Sequence, residues 1–347
     1  MDLSIKQCFL GFSYIRAVAC IAIIILHVTY SASLLFKDSI SSWEYTVSNM
    51  VTNCMMWAVP CFIMVTGALL LDPKKEITYP KLFQKYLFRI AVALVLFCMI
   101  FRVFDIFMDG EAITAAAFLN GFYEIFTGTS WSHMWYLYLL IGLYLLLPFY
   151  KKIAAHSSGR ELTYLLVVYL IFLSLLPHLG LFELHSGFYI HVSTIYPFYL
   201  FCGYVIHKAI WKIKSFQAGI MLGGSTILIA VLTQIRYQTD NILFENFWAY
   251  WSILVIVQGI AAFALFTKLH EKKCSLIGKI LIEIDKCSFG IYLIHMIFVR
   301  LFLRYMGFNP YKNGGILAFI FVIIGILITS YLTTWILRKI PGLKKIV

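Results

Sequence analysis

The sequence predicts an all-α, polytopic integral membrane protein with about ten transmembrane helices and both termini in the cytoplasm. Of its 347 residues, 62% are hydrophobic and 13% are charged, and the mean hydropathy is +0.88. Soluble domains are about 45–50% apolar and about 25% charged, so this composition excludes an ordinary soluble protein. Apolar stretches of about twenty residues, long enough to cross a bilayer as helices, recur between short polar segments.

Ten apolar stretches are predicted as spans, namely residues 9–30, 47–71, 87–106, 134–150, 162–180, 192–207, 216–235, 248–267, 288–306 and 315–337. With the amino terminus inside, the predicted outer segments carry only Lys37, Arg236 and Lys312 as cations. This asymmetry follows the positive-inside rule and explains the net charge of +12 without nucleic acid as a partner. We therefore expect one integral domain over residues 1–347, in contact with membrane lipids.

The first span contains two polar side chains, Arg16 and His27, in an otherwise apolar run. Their separation of eleven residues lies within about 20° of a whole number of helical turns, which places both on one helix face, roughly 16 Å apart along the axis. Charged and titratable groups in a bilayer usually face a bundle interior or an aqueous cavity, and they mark functional sites. The alternatives are an arginine that reaches the cytoplasmic headgroups and a polar histidine near the outer interface.

The predicted second span has an acidic residue near its outer end and a motif with proline and glycine at its inner end. Glu44, near its outer start, has a predicted depth similar to that of His27 and is a candidate to orient the imidazole. The commoner role of an acid at a helix start is interaction with the helix dipole in solvent. The inner end, PCFIMVTG at 60–67, contains a proline that disturbs helical hydrogen bonding and a glycine that permits close helix approach.

Basic side chains gather at the cytoplasmic entrance of the third span, where Lys85 and Arg89 lie four residues apart on one predicted helix face. Such a cluster suits a phosphate-bearing cytosolic ligand. Positive-inside topology alone is the other explanation. Deeper in the span, Arg102 has Asp105 as a candidate partner.

Two later spans carry aromatic and histidine side chains. His133, Trp135 and Tyr136 open the fourth span and are typical of an interfacial aromatic belt, or of a cavity that receives a sugar. In the ninth span Tyr292 and His295 form a polar stripe that Arg300 extends. Residues 107–133, which precede the fourth span, are apolar enough to re-enter the membrane or to lie on its surface.

The sequence lacks several common nucleotide-binding and catalytic motifs. There is no P-loop, no GxGxxG after a strand, no HExxH and no GxSxG. The eight cysteines form no CxxC pair, and we predict no metal site.

Five motifs occur in order along nearly the whole chain: R-x10-H at Arg16 and His27, PCFIMVTG at 60–67, the basic stretch ending at Arg89, HMWYL at 133–137 and SFGIYLIH at 288–295. Together they resemble the acyltransferase 3 family of bacterial integral-membrane acyltransferases, and among these the O-acetyltransferases that modify surface glycans such as enterobacterial common antigen. The chain departs from the family pattern at Tyr86, which replaces the first arginine of R-x-x-R, and at Thr66 and Ala68 around Gly67.

The resemblance implies a multi-pass enzyme of the bacterial cytoplasmic membrane that moves an acetyl group from cytosolic acetyl-CoA to a hydroxyl of an envelope or exported polysaccharide, or of its lipid-linked precursor. It implies that His27 is the essential histidine and Arg16 its partner, and that Arg89, with Lys85 as a substitute for the missing arginine, contacts the coenzyme A phosphates. The predicted acceptor-side or cavity-lining residues are Glu44, His133, Trp135, Tyr136, Tyr292 and His295. Direct transfer and an acetyl-histidine intermediate both fit these residues, and the oligomeric state is left open.

Two other functions fit the same sequence. The histidines and arginines inside the spans suit the pathway of a transporter or flippase of lipid-linked glycans, which would consume no acyl-CoA. A structural partner in a glycan-assembly complex would tolerate the loss of both Arg16 and His27.

Overall fold

Apolar runs of this length form helices because, in a bilayer, backbone polar groups must be satisfied within the segment itself. The computed structural model describes residues 3–112, 114–179, 194–269 and 275–347, and within them it contains helices and no strand, which confirms the all-α class. The helices are α1 (Leu3–Leu35), α2 (Ser42–Cys54), α3 (Ala58–Leu70), α4 (Tyr79–Lys81), α5 (Phe88–Met108), α6 (Ala115–Thr127), α7 (Trp135–Leu145), α8 (Leu147–His156), α9 (Gly159–Leu170), α10 (Leu176–Leu179), α11 (Tyr196–His207), α12 (Ser215–Thr239), α13 (Ile253–Phe266), α14 (Leu276–Arg300) and α15 (Ile316–Leu337).

In the described part of the chain, eight helical segments are long and apolar enough to cross a membrane: Leu10–Leu35, Ser42–Leu70, Tyr79–Met108, Gly159–Leu179, Ser215–Thr239, Ile242–Phe266, Leu276–Tyr305 and Ile316–Leu337. They match eight of the ten predicted spans. The predicted span 134–150 is instead a helix pair, Ser132–Leu145 and Leu147–His156, bent by 54°. The predicted span 192–207 contains α11, and its first residues lie outside the described part.

Prolines explain two interruptions of helical spans. Pro148 lies in the first turn of α8, where its missing N–H cannot continue the hydrogen bonds of α7, and the bend precedes it. Pro60 has the same effect in the second span, in which α2 ends at Cys54 and α3 begins at Ala58. The disturbance predicted from PCFIMVTG is therefore present.

The chain divides into two compact units. Unit 1 comprises Met1–Lys75 and Lys151–Ser288, and unit 2 comprises Glu76–Tyr150 and Phe289–Val347. Helix α14 contributes its first half to unit 1 and its second half to unit 2.

The core of unit 1 is built around α11, whose residues from Pro197 to Val205 are all buried. Helix α11 crosses α3 at very short range, because glycine occupies both sides of the crossing. A Cβ atom added to Gly67 would overlap the carbonyl oxygen of Leu200, and one added to Gly203 would overlap that of Met64. The close approach predicted at Gly67 is thus observed, with α11 as the partner helix.

Lysines secure the segment that follows α3 in unit 1. The Nζ atom of Lys151 donates to three backbone carbonyl oxygens, those of Leu70 at 3.0 Å, Asp72 at 2.8 Å and Lys75 at 2.9 Å. An ammonium group there satisfies carbonyls that the end of α3 leaves open and is favoured by the helix dipole. Lys208 Nζ also forms an ion pair of 2.8 Å with Asp72.

These contacts lower the pKa of the Asp72 carboxyl. Burial alone raises its pKa, but the hydrogen bonds from Lys208 and from the Lys74 N–H outweigh burial and hold the pKa below its ordinary value. A lowered pKa in the folded protein means that the contact stabilises the fold above the unfolded-state pKa and loses this effect as the pH falls through the folded-state pKa.

We expect Lys151→Met to lower the thermal stability of the purified protein. Methionine keeps the length of the side chain but leaves three carbonyl oxygens without their donor, and a hydrogen bond to a charged group is worth about 1.5–3 kcal/mol. The neighbouring lysine, Lys152, is exposed and provides the matched control as Lys152→Met. Thermal unfolding in detergent, followed by tryptophan fluorescence, should separate the two variants. Equal unfolding temperatures would contradict this role of Lys151.

In unit 2, helix α6 follows α5 in the chain and packs back against it. Helix α6 has 13 residues, about 20 Å, which is too short to cross a bilayer. Its Gly121 packs against Met99 and Arg102 of α5, and the Ile125 carbonyl oxygen accepts a hydrogen bond from Tyr138. The opposite side of α6 exposes bulky apolar residues: Leu119, Phe122, Tyr123 and Phe126. This apolar side is suited to contact lipid in either of the two placements predicted for residues 107–133.

Candidate functional site

Arg16, predicted to be catalytic, forms an ion pair with Asp285, a residue that was not predicted from the sequence. Its Nε donates to Asp285 Oδ1 at 2.6 Å and its Nη2 donates to Oδ2 at 2.8 Å, a bidentate ion pair between α1 and α14 in unit 1. The Asp285 side chain is 9% exposed and that of Arg16 is 28% exposed. The arginine is therefore paired inside unit 1, unlike an arginine that extends to lipid headgroups.

Asp285 was missed because the ninth span was predicted to begin at residue 288, which placed Asp285 in a charged loop. Helix α14 in fact begins at Leu276, so Asp285 lies in its third turn. The neighbouring charges Glu283 and Lys286 form an exposed pair of their own at 2.6 Å. The sequence signal for Asp285 was its apolar neighbours Ile284 and Cys287, which the structure shows to be buried.

His27 lies farther along α1 and is partly exposed. Its imidazole interacts with the backbone of Ile23, one turn earlier. A ring N–H donated to a carbonyl oxygen fixes the tautomer, and the second ring nitrogen then carries a lone pair. Such an imidazole has the form that a general base or a nucleophile requires.

Arg16 and His27 share a helix face, as predicted, but two buried residues separate them. Cys20 is 2% exposed and Ile23 is 6% exposed, and both occupy the positions between Arg16 and His27 on that face. The Cys20 thiol contacts the Ser288 carbonyl oxygen of α14 at 3.9 Å. With an axial separation of about 16 Å, the guanidinium and the imidazole cannot both touch one reacting atom.

Glu44 interacts with its own helix start. Its carboxylate accepts hydrogen bonds from the Ser41 N–H and hydroxyl, each at 2.8 Å, while the Ser41 hydroxyl accepts from the Glu44 N–H. This is a capping box at the start of α2. Of the two roles predicted for Glu44, the helix-start role is the one that these contacts describe.

The predicted phosphate-binding residues lie in unit 2. Lys85 and Arg89 are both exposed, and Lys85 lies in a π-helical segment, Leu82–Leu87, which rotates it from the position that a regular α-helix gives. The Arg89 Nε donates to the Ile346 carbonyl oxygen at 3.0 Å, and its guanidinium lies 4.8 Å from the centre of the Phe289 ring.

Four of the predicted acceptor-side residues converge inside unit 2. His133 and His295 have ring centroids 5.4 Å apart, and Tyr292 lies 5.8 Å from His133 and 5.6 Å from Tyr136. The Tyr292 hydroxyl donates to the His133 carbonyl oxygen. His133 is 3% exposed and His295 is 0% exposed, so these rings are interior and not part of a surface belt. Trp135 stands beside Tyr136 and is exposed.

An ion pair adjoins this cluster, with a partner other than the predicted one. Asp105 accepts from Arg300 Nη1 at 2.7 Å and from the Trp131 indole N–H at 2.7 Å, and Arg300 stacks over the Trp131 ring at 3.8 Å. The predicted pairing of Asp105 with Arg102 is wrong, because Arg102 turns toward α6 and pairs with Glu111 at 2.9 Å. Sequence proximity within α5 suggested the first pairing, and only the fold brings α14 and the 128–134 connection to Asp105.

A family model described as an acyltransferase domain matches residues 9–335, which is nearly the whole chain. Comparisons with curated proteins and with solved structures give no match. The family match agrees with the five ordered motifs and with the many helices suited to cross a membrane. This chain therefore belongs to the acyltransferase 3 family, and it is a multi-pass membrane acyltransferase.

Proposed function

We propose that the protein is an O-acetyltransferase of the bacterial cytoplasmic membrane, which transfers an acetyl group from cytosolic acetyl-CoA to a hydroxyl of an envelope or exported polysaccharide, or of its lipid-linked precursor. One observation supports the proposal above all: His27 lies inside a membrane span, is partly exposed, and has its ring hydrogen-bonded to the backbone of Ile23. The chain also belongs to the acyltransferase 3 family. Titratable groups are costly inside a membrane, and those that occur there usually mark functional sites.

In the proposed reaction, His27 acts as the general base. The acceptor hydroxyl oxygen forms a bond to the thioester carbonyl carbon while the imidazole takes the hydroxyl proton. The carbon–sulfur bond then breaks, and its electron pair leaves on sulfur. The imidazolium returns the proton to the thiolate, so that the products are the acetyl ester and coenzyme A, and His27 is regenerated.

The other predicted residues have supporting roles in this proposal. Lys85 and Arg89, both exposed, are suited to bind donor phosphates through charge-assisted hydrogen bonds. Trp135 and Tyr136 have the accessible ring faces that suit the binding of a sugar, and the buried Tyr292 packs against Tyr136. The proposed reaction uses no metal ion.

The direct test is turnover by the purified protein in lipid nanodiscs. The protein is incubated with acetyl-CoA labelled in the acetyl group and with envelope glycan extracts, and both labelled ester and released thiol are measured. We expect equal amounts of the two products. Movement of glycan across a vesicle membrane without release of coenzyme A would instead establish the transporter alternative.

A comparison in cells identifies the acceptor. The acetyl content of the surface polysaccharides is measured with the intact gene and after its deletion. Loss of acetyl esters from one glycan names the acceptor of the proposed reaction.

A further inference from the structure

We infer that Arg338, at the end of α15, supplies the second guanidinium of a phosphate-binding site at Arg89, and that the turn Leu343–Lys345 forms the rim of this site. The site rests on the proposed function, in which a cytosolic donor carries the phosphates. Its ligand is the phosphate groups alone, and every residue assigned to them belongs to unit 2.

The chain after α15 packs against the start of α5 and orients Arg89. Val347 is 6% exposed and belongs to the same buried cluster as Ile90 of α5. The Arg89 Nε donates to the Ile346 carbonyl oxygen at 3.0 Å, and the guanidinium lies 4.8 Å from the centre of the Phe289 ring. Among the described residues this is the hydrogen bond that Arg89 makes, and the side chain is exposed, so its two terminal nitrogens can donate to a ligand.

Arg338 brings a second positive charge to Arg89. The two guanidiniums lie close enough for their charges to repel each other, and Arg338 is partly exposed. The acidic residues of unit 2 are few, namely Glu76, Asp105, Asp109, Glu111 and Glu124. Asp105, on the same helix as Arg89, lies about 24 Å farther along it. Like charges placed together cost free energy, and a bound anion removes that cost, so the two arginines indicate a site for an oxyanion.

Membrane topology alone does not explain two adjoining arginines. The positive-inside rule places cations near the cytoplasmic surface but does not require two of them to lie together. In unit 1 the cations have carboxylate partners, since Lys208 pairs with Asp72 and Arg16 pairs with Asp285. Arg89 has an arginine as its charged neighbour instead, which suits an anion from outside the protein.

The rim of the site is formed by two exposed lysines. Lys344 and Lys345 lie in the turn directly before Ile346, the residue whose carbonyl oxygen contacts Arg89. Their ammonium groups are therefore within side-chain reach of a ligand on Arg89. Lys85, which the sequence predicted as the second cation, lies in a π-helical segment that turns it from its α-helical position.

The number and kind of these cations select the ligand. Phosphate esters carry one or two negative charges each, and their oxygens accept paired hydrogen bonds from a guanidinium. The adenosine end of coenzyme A has three phosphates close together. Because they bind at an exposed surface, they need no enclosed cavity in unit 2.

The test measures the binding of two probes by isothermal titration calorimetry: coenzyme A, and adenosine 3′,5′-bisphosphate, which has phosphates but no pantetheine arm. The protein is held in nanodiscs of phosphatidylcholine, which has no net charge. We expect Arg338→Gln to weaken the binding of both probes by about 10-fold, the size expected for one hydrogen bond between charged groups. Arg338→Lys should weaken binding less, because it keeps the charge and loses only the paired hydrogen bonds.

The next residue provides the matched control. Lys339→Gln removes the same charge from the adjacent position, but the Lys339 Nζ lies 3.3 Å from the centre of the exposed Trp335 ring, one turn back on α15. This variant should bind both probes as the unaltered protein does. Lys344→Gln combined with Lys345→Gln, at exposed positions that contribute no packing, should weaken both. This double variant decides the result if Arg338→Gln does not fold.

Three outcomes overturn the site. Equal effects of Arg338→Gln and Lys339→Gln would reduce it to general attraction by a positive surface. Unchanged probe binding by a folded Arg338→Gln protein would remove Arg338, and loss of stabilisation by phosphatidylglycerol in that variant would assign the arginine to lipid headgroups. Absence of probe binding by the unaltered protein would remove the site altogether.

Failure of the proposed function is a different result. An unaltered protein that binds both probes through Arg338, but releases no thiol from acetyl-CoA with any glycan acceptor, would refute acetyl transfer and leave the phosphate site in place.

Discussion

Replacing His27 by alanine is expected to lower the rate of acetyl transfer by about 10²–10⁴-fold, the usual contribution of a general base. The substitution removes the proton acceptor but adds no charge and no bulk to α1. Since His27 is partly exposed and the adjacent positions on the helix carry the packing, Val28 being 0% exposed, the fold should survive. The measurement is thiol release from acetyl-CoA by purified protein in nanodiscs, with the amount of inserted protein determined independently.

A second intramembrane histidine of unit 1 provides the control. His178 is 9% exposed, and its Nδ1 lies 2.7 Å from the Ser174 carbonyl oxygen, so it also engages its own helix one turn back. His178→Ala removes an imidazole in a comparable environment and should retain activity. Normal turnover by a correctly inserted His27→Ala protein would remove His27 from the mechanism. A labelled acetyl group trapped on the wild-type imidazole would replace direct transfer by the acetyl-histidine route.

Gly67→Ala and Gly203→Ala are expected to prevent the normal packing of unit 1. Each added methyl group would overlap a backbone carbonyl oxygen of the facing helix, that of Leu200 or that of Met64. A flexible side chain could rotate away from such an overlap, but a helical backbone cannot, so α3 and α11 must separate. Overpacking in a core costs about 1–3 kcal/mol and sometimes more, and an overlap with backbone on both helices belongs at the upper end.

The consequence should be visible as loss of folded protein. We expect both variants to give little monodisperse material by fluorescence-detected size-exclusion chromatography after extraction in mild detergent. Gly219→Ala and Gly223→Ala in α12 are the controls, because a Cβ atom at either position meets nothing within 4 Å. Yields of the α3 and α11 variants equal to those of the α12 variants would show that the helices do not cross as closely as described.

The periodicity of the sequence was sufficient for features that depend on one helix at a time. The shared face of Arg16 and His27 and the Tyr292–His295 stripe follow from 100° per residue alone. Partners on other helices required the fold, as the pairing of Arg16 with Asp285 and that of Asp105 with Arg300 demonstrate. Hydropathy likewise detected the long spans but not where prolines divide them, because Pro148 changes hydrogen bonding and leaves the mean hydropathy nearly unaltered.

The backfolded course of α6 also matters to anyone who maps which side of the membrane each connection faces. Epitopes or reporter enzymes are commonly inserted into the longest stretch between spans, which in this sequence is residues 107–133. An insertion within Ala115–Thr127 would break the contact of Gly121 with Met99 and Arg102, and the tag would report on a misassembled chain. The exposed turn at residues 312–314 offers a tagging position without that penalty.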